Sequence, residues 1–393
     1  MIEVNKKTCT GCEMCTNICP KDCISMEEDE FGFRYPIIDV AKCINCNLCE
    51  KYCPAIEYKE YSFEPTIMAM QNKNEEERLQ SSSGGVFSVL AKTIINNRGY
   101  VYGARWNGLS VEHIEISSID DLNQLRGSKY LQSHIGNSYR LIRNRLNNGQ
   151  MVLFSGTGCQ IAGLKSFLRN KEYENLLTIE VVCEGVPSPL FVRKLSDYLS
   201  ERQGSDLIEL DYRYKDGHKW DFQVMQAKFA DGSSLKKDRW FNPYWKLWLS
   251  HLMSRPSCYE CKYAKNERCA DITLGDLWGV HLYCPELYAR NAGASLMIGN
   301  TEKGILAIKK AEKYMNGHDL EFAQALKYQS PMRKHIDGNP NRELFMADLE
   351  SNMSYEELIK KWYRKPSLKL LWQKYVWGNR QKVALWNLKN RLR

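Results

Sequence analysis

Cysteine recurs between residues 9 and 53 in one arrangement used twice: Cys9, Cys12, Cys15 and Cys19-Pro20, then Cys43, Cys46, Cys49 and Cys53-Pro54. Thiolates three residues apart on a tight loop reach three irons of one [4Fe-4S] cubane, while the cysteine before the proline turns away to the other cluster. The chain must therefore cross itself. One cluster is expected on Cys9, Cys12, Cys15 and Cys53, and the other on Cys43, Cys46, Cys49 and Cys19. Zinc also takes paired Cys-x-x-Cys ligands, but it needs neither a third cysteine at the same interval nor a Cys-Pro end. Cys23 lies outside both runs and reads as a small buried residue.

Two such runs are the sequence form of a bacterial dicluster ferredoxin, assigned here to residues 1–57. Between them, Ile24 to Ile38 places two apolar-containing pieces around an acidic, glycine-containing turn, which predicts a hairpin. A domain of this size buries too little surface to stand alone, so the clusters act as its core and removal of iron is expected to unfold it. Residues 58–80 are polar without a clear period and read as a linker.

The chain has 393 residues, room for two or three domains, and 15 cysteines. A disulfide-stapled secreted scaffold is short, and most of these cysteines sit in cluster spacings, so reduced thiols and a cytoplasmic location are expected. No apolar segment of signal-peptide length opens the sequence, and none approaches the ~20 residues of a membrane span. The net charge of +8 belongs to the end of the chain, where Tyr355 to Arg393 carries 11 Lys and Arg against 2 acids. The body holds no basic excess, which removes the main support for a nucleic-acid partner.

After Ser81-Ser-Ser-Gly-Gly85, Val86 to Ile95 has the pattern of a buried helix capped by the serines. Strand-like and helix-like segments then alternate. Tyr100 to Arg105, Val111 to Ile116, Met151 to Ser155 and Leu177 to Val182 read as strands; Ser138 to Leu146, Gln160 to Arg169 and Pro189 to Arg202 read as helices. Such alternation argues for an α/β layer with some parallel strands. From Leu207 longer strands follow, with an aromatic helix expected over Trp240 to Met253. The overall expectation is an α+β multidomain chain: a ferredoxin fold, a mixed α/β body in two halves (81–205 and 206–345), and a basic helical tail (346–393).

Four more cysteines are scattered: Cys159, Cys183, Cys258 and Cys261. The first two each follow a predicted strand, where ligands collect in α/β sheets. With the Cys258-x-x-Cys261 pair they make a candidate set for a third [4Fe-4S] cluster, for which Cys269 and, more weakly, Cys284 compete. The turns Ser81–Gly85 and Phe154–Gln160 each suit a phosphate held by backbone N–H groups, and together they favour a bound dinucleotide.

As an ordered set, Ser82-Ser-Gly-Gly-Val-Phe87, Val101-Tyr-Gly-Ala104, Gly127-Ser-Lys-Tyr130, Phe154-Ser-Gly-Thr-Gly-Cys-Gln160, Cys183-Glu-Gly-Val-Pro-Ser-Pro189, Arg255-Pro-Ser-Cys-Tyr-Glu-Cys261 and Asp271-Ile-Thr-Leu-Gly-Asp-Leu-Trp-Gly279 resemble the coenzyme F-420 hydrogenase/dehydrogenase beta-subunit family. The resemblance covers residues 65 to 345. It implies an iron-sulfur flavoprotein, with FAD in the α/β body beside a cluster on Cys159, Cys183, Cys258 and Cys261. Ser83, Gly84, Gly85, Gly127, Ser128, Lys129, Tyr130, Gly156 and Thr157 become flavin-contact candidates. Lys129 is the natural cation for a phosphate, and Asp276 and Trp278 are candidates to shape the pocket. Glu184 departs from the family, where histidine is expected, so the substrate is open.

Flavin exchanges hydride and single electrons, whereas a cluster takes only single electrons. The expected function is a flavin-dependent iron-sulfur oxidoreductase that links an F-420-like hydride carrier or small organic substrate to an external redox protein or partner subunit. The alternative is a non-catalytic relay subunit or adaptor. None of the seven histidines has metal or triad spacing, and each reads as structural or exposed. In the tail, Leu368, Leu371, Trp372, Tyr375 and Val376 fall on one helical face ringed by basic residues. That face either packs on the body or docks on an anionic membrane surface or an acidic redox partner.

Overall fold

Alternating strands and helices bring successive strands side by side in one sheet, and the computed structural model shows where that sheet ends. It describes residues 5–61, 65–215, 220–288, 292–378, 381–385 and 388. The ferredoxin hairpin is β1 (Ile24–Glu28) paired antiparallel with β2 (Arg34–Ile38). The central sheet contains β3 (Thr66–Asn72), β4 (Tyr100–Asn107), β5 (Ser110–Ile116), β6 (Val152–Thr157) and β7 (Leu176–Val181). A smaller antiparallel sheet follows, of β8 (Leu207–Tyr214), β9 (Val224–Phe229) and β10 (Ser234–Lys237). Then β11 (Ile272–Asp276), β12 (Ser295–Gly299) and β13 (Met315–Asp319) return to the central sheet, whose order is β13-β3-β12-β11-β7-β6-β4-β5.

The middle four strands, β4, β6, β7 and β11, run parallel, and the pairs outside them run antiparallel. The parallel part is the expected α/β layer. Strands from both predicted halves, 81–205 and 206–345, share this sheet, so the two halves are interleaved.

The stretch 58–80 is not a plain linker. It contains β3, hydrogen-bonded between β12 and β13 with Ala69 and Met70 buried. A strand covered on both faces has no polar alternation, and its Met and Ala lack the β-branched signature that marks a strand.

Helix Val86–Asn96 packs its Val89, Leu90 and Ile94 into the core beside β4 and β6. No serine caps it. Gly85 holds the N-cap position at φ 78° and, lacking a side chain, gives the first N–H groups of the helix no cap hydrogen bond. The aromatic helix is shorter than its pattern suggested, Pro243–Trp248, starting where Asn242 caps it. His251 at φ 56° marks a turn of the chain within the rest of the expected helix.

Around it Tyr244, Trp245, Leu247 and Trp248 join Phe191, Leu195, Tyr212 and Phe345 in a second core, into which the ferredoxin hairpin inserts Phe33 and Tyr35. At the tail, Leu368–Leu371 continues as a wider π-type turn, Trp372–Val376. Its Tyr375 packs on Phe222 and Phe241, while Leu368 and Trp372 are exposed.

Candidate functional site

In the first run Gly11 and Glu13 flank the middle cysteine with φ 65° and 58°; in the second, Asn45 and Asn47 flank theirs with φ 53° and 56°. These are equivalent positions in the two repeats. Left-handed residues on both sides of a cysteine turn successive backbone N–H groups inward, the concave arrangement that stabilises anionic sulfur clusters.

The crossing expected from the proline ends is present. Cys19 lines one cavity with Cys43, Cys46 and Cys49, at the exposed end of the module. Cys53 instead neighbours Cys9, Cys12 and Cys15. Burial, and then Cys53 and Cys9, push the Cys12 thiol upward; burial, and then Cys12, Cys9 and Cys53, do the same to Cys15.

Cys159 opens helix Gly158–Phe167 directly after β6, Cys183 follows β7, and Cys258 sits on the turn Pro256–Glu260 with Cys261 at its end. All four line one cavity. Burial and then Cys258 and Cys159 drive Cys183 upward, and burial with Cys261 next pushes Cys258 up to about 12. Four half-buried thiols lining one pocket favour the thiolate only when a cation neutralises them, as cluster iron does.

Among the described residues, no group of three or more His, Cys, Asp or Glu is placed to hold a single metal ion. The body set, Cys159, Cys183, Cys258 and Cys261, lines one pocket, and the ligands of a cluster bind its separate corners. Cys269 is not part of this set. It is buried and donates to the Gly158 carbonyl and to Glu180 Oε2, both at 3.2 Å. Cys284 is buried in a separate core beside Leu277 and Val280.

The module is tied down beside the body thiols. A side chain at Gly163, in the helix that Cys159 opens, would meet Cys12 Sγ at 3.2 Å. Arg255, three residues before Cys258, donates to the carbonyls of Cys9 and Arg34 at 3.0 and 2.9 Å. Gln132 donates to the carbonyls of Thr10 and Gly11, and Tyr139 to that of Cys12. Thus the three thiol sets follow one another from the exposed end of the module to the body.

Beyond the body thiols lies a cavity of about 640 Å³ at the C-terminal ends of the parallel strands. Of the flavin candidates it is lined by Ser83, Gly85, Gly127, Ser128, Lys129, Tyr130, Gly156 and Thr157. Gly84 is absent from that wall. Its N–H donates to Ser295 Oγ at 3.0 Å, and a Cβ there would come 2.4 Å from the Met70 carbonyl oxygen. Gly127, at φ 78°, has nothing within 4 Å of where a Cβ would stand.

Lys129 is buried, and its ammonium donates to the carbonyls of Gln124 and Arg126 at 3.2 and 2.7 Å. Burial lowers it to about 7, with Asp211 opposing. The Thr157 N–H is also taken, by Gln160 Oε1 at 3.0 Å. Tyr130 stands edge-on to Trp245 and Trp248, and its hydroxyl accepts from Arg213 at 3.1 Å. Glu184 lines the cavity with its carboxyl pushed up by burial, against the pull of Arg239. Asp276 lines it too and is paired with Arg213, while Trp278 stacks on Trp220.

Sequence reasoning missed His113. It lies on the inward phase of β5, its Nε2 2.9 Å from the Ser155 carbonyl oxygen, and it lines the cavity. Its buried Nδ1 has no hydrogen-bond partner among the described residues, and burial holds it down at about 4. The shared strand phase of Val111 and His113 was the available signal, but periodicity cannot tell a packed histidine from one facing a ligand. Arg239 and Gln223, which also line the cavity, carried no motif.

A twofold cysteine module docked onto a mixed α/β body with four further thiols beside a deep cavity defines an iron-sulfur electron-transfer protein. Residues 8–56 match the 4Fe-4S dicluster domain, and residues 149–321 match the C terminus of the coenzyme F420 hydrogenase/dehydrogenase beta subunit. Residues 149–321 thus carry the C-terminal domain of that beta-subunit family, behind a 4Fe-4S dicluster domain at the N-terminus. A chain of the F420-reducing [NiFe] hydrogenase complex from Methanosarcina barkeri is similar at 15% identity over 81% of this chain and 94% of that one, with a TM-score of 0.46. No curated protein matches. Among the described residues, no helix is long and apolar enough to cross a membrane.

Proposed function

We propose that this chain is an oxidoreductase that holds FAD in the 640 Å³ cavity and a third [4Fe-4S] cluster on Cys159, Cys183, Cys258 and Cys261. It would couple a two-electron substrate, an F-420-like hydride carrier or a small organic molecule, to a one-electron partner subunit or redox protein. One observation carries this reading: Thr157, Cys159, Cys183 and Gly185 line both the cavity and the four-thiol pocket, so the two spaces share a wall.

The residues present suit a flavin. The cavity volume is that of a cofactor site, the N-terminus of helix Val86–Asn96 is left uncapped beside it, and Gly127 leaves open space where a side chain would intrude. When bound, a flavin exchanges hydride pairs for single electrons, and clusters carry the single electrons onward. The chain's own contribution is position and charge. Gly85, Gly127 and Gly156 let backbone approach closely, and Ser128 and Lys129 supply donors. Trp245 and Trp248 form an apolar wall, and the buried polar atoms of His113 and Glu184 face the same space.

Protein purified without oxygen tests the reading. Addition of a reduced hydride carrier is expected to bleach a flavin band and then generate cluster signals by electron paramagnetic resonance. A chain that carries no flavin, and whose clusters answer only to one-electron reductants, would instead be a relay.

A further inference from the structure

From Leu358 to Arg393 the sequence holds 11 Lys and Arg and no Asp or Glu. Within this stretch the segment Leu368–Val376 divides its side chains between two directions. Lys374 and Tyr375 face the body. The Lys374 ammonium lies 4.7 Å from the centre of the Trp240 ring, and the Tyr375 ring packs on Phe222 and Phe241 while its hydroxyl donates to Asp238. Leu368, Trp372 and Val376, four residues apart and so on one face, turn outward at 85, 52 and 57% exposed. The exposed Trp377 ring stacks on that of Trp372 at 6.4 Å.

The body contacts thus anchor the segment by one side and leave an apolar side uncovered. Lys365, Lys369 and Lys382, all exposed, flank that side in the chain. A second copy of the chain does not suit it, because a twofold contact would set like charges against each other. An acidic protein would answer the lysines but gives two exposed indoles and two aliphatic side chains nothing apolar to enter. An anionic bilayer answers both: its headgroups attract Lys and Arg, and Trp settles at the boundary between headgroups and acyl chains.

We propose that the segment Leu368–Trp377, with the lysines that flank it, docks this protein on an anionic membrane surface. Trp372, Trp377, Leu368 and Val376 enter the interfacial layer, and Lys365, Lys369 and Lys382 contact lipid phosphate. The contact is peripheral, since an amphipathic segment of this kind lies in the interface plane. The proposal is independent of the flavin reading.

The test sediments the full chain, purified without oxygen, with vesicles of phosphatidylcholine alone or of phosphatidylcholine mixed with phosphatidylglycerol. Wild type is expected to sediment with the mixed vesicles, to stay in solution with phosphatidylcholine alone, and to be released by about 0.5 M salt. The Trp372→Ala/Trp377→Ala and Lys365→Glu/Lys369→Glu variants should each bind roughly tenfold more weakly or worse. Both should keep wild-type iron content, because the altered side chains are exposed. Brominated acyl chains should quench wild-type tryptophan emission and have less effect on the tryptophan variant. Wild type that remains in solution beside the anionic vesicles at low salt overturns the proposal. So does binding that the lysine variant loses and the tryptophan variant keeps in full, which would assign the segment to an acidic protein instead.

Discussion

The guanidinium of Arg255 donates from Nε to the Cys9 carbonyl at 3.0 Å, and its Nη2 lies 3.9 Å from the Cys9 sulfur. The same side chain reaches the Arg34 carbonyl and Gln132 Oε1, and it lies over the Tyr35 ring at 4.3 Å. One buried cation therefore joins a cluster loop, the hairpin and the segment that leads to Cys258. Arg255→Ala leaves those acceptors without their charged donor and is expected to cost roughly 2–4 kcal/mol. Arg255→Lys should recover less than half, because an ammonium cannot span the fork. Denaturant unfolding under anaerobic conditions measures both. Stability within about 0.5 kcal/mol of wild type in Arg255→Ala would show that this docking contributes little.

Glu180 is a buried hub that accepts from Arg268 Nε, Thr273 Oγ1 and Cys269 Sγ. Glu180→Ala strands the buried guanidinium and should destabilise by about 3–5 kcal/mol. Cys269 belongs to this network, so Cys269→Ser is expected to retain full iron, while Cys261→Ser loses about four irons. Equal iron loss in the two single variants would place Cys269 among the ligands.

If the cavity holds a phosphate as proposed, Lys129 is expected to give that binding a pH dependence. Burial lowers it to about 7 with Asp211 opposing, and its titratable neighbour His113 is already neutral there, being held at about 4. Below pH 7 the free protein carries the ammonium. As pH rises through 7 that charge is lost unless a bound phosphate retains it, so affinity for FAD should fall by up to about tenfold per pH unit. Binding titrations from about pH 6 to 9 on flavin-stripped protein should show this fall in wild type and not in Lys129→Gln. The same fall in both proteins would assign the effect to another group.

Gly84 and Gly127 fail differently. A Cβ at Gly84 would stand 2.4 Å from the Met70 carbonyl oxygen and 2.6 Å from the Ser295 nitrogen, backbone that cannot move without parting β3 from β12. Gly84→Ala is expected to lower stability by about 1–3 kcal/mol. Gly127→Ala meets open space and carries only the strain of its φ, about 1 kcal/mol. Its larger effect should be on flavin content. Thermal unfolding together with released flavin separates the two.

Legibility followed how tightly chemistry constrains spacing. Cubane geometry fixes the intervals among Cys9, Cys12 and Cys15 and their repeat, so the crossing of Cys19 and Cys53 was readable before any fold. The parallel strands β4, β6 and β7 were readable because helices alternate with them, and strand ends gave Cys159 and Cys183. Cys258 and Cys261 joined them only as a Cys-x-x-Cys pair. β3 was hidden by burial on both faces. Gly84 carried a glycine motif yet serves strand packing, because spacing does not tell which way a backbone faces. Lys129 turns to carbonyls for the same reason that its position looked suitable: a buried ammonium must find acceptors.

The most direct measurement is the iron, sulfide and flavin content of wild-type protein purified without oxygen. Three thiol sets and the cavity predict about twelve irons with one FAD per chain. About eight irons and no flavin would contradict the account, leaving two ferredoxin clusters beside body thiols that hold nothing.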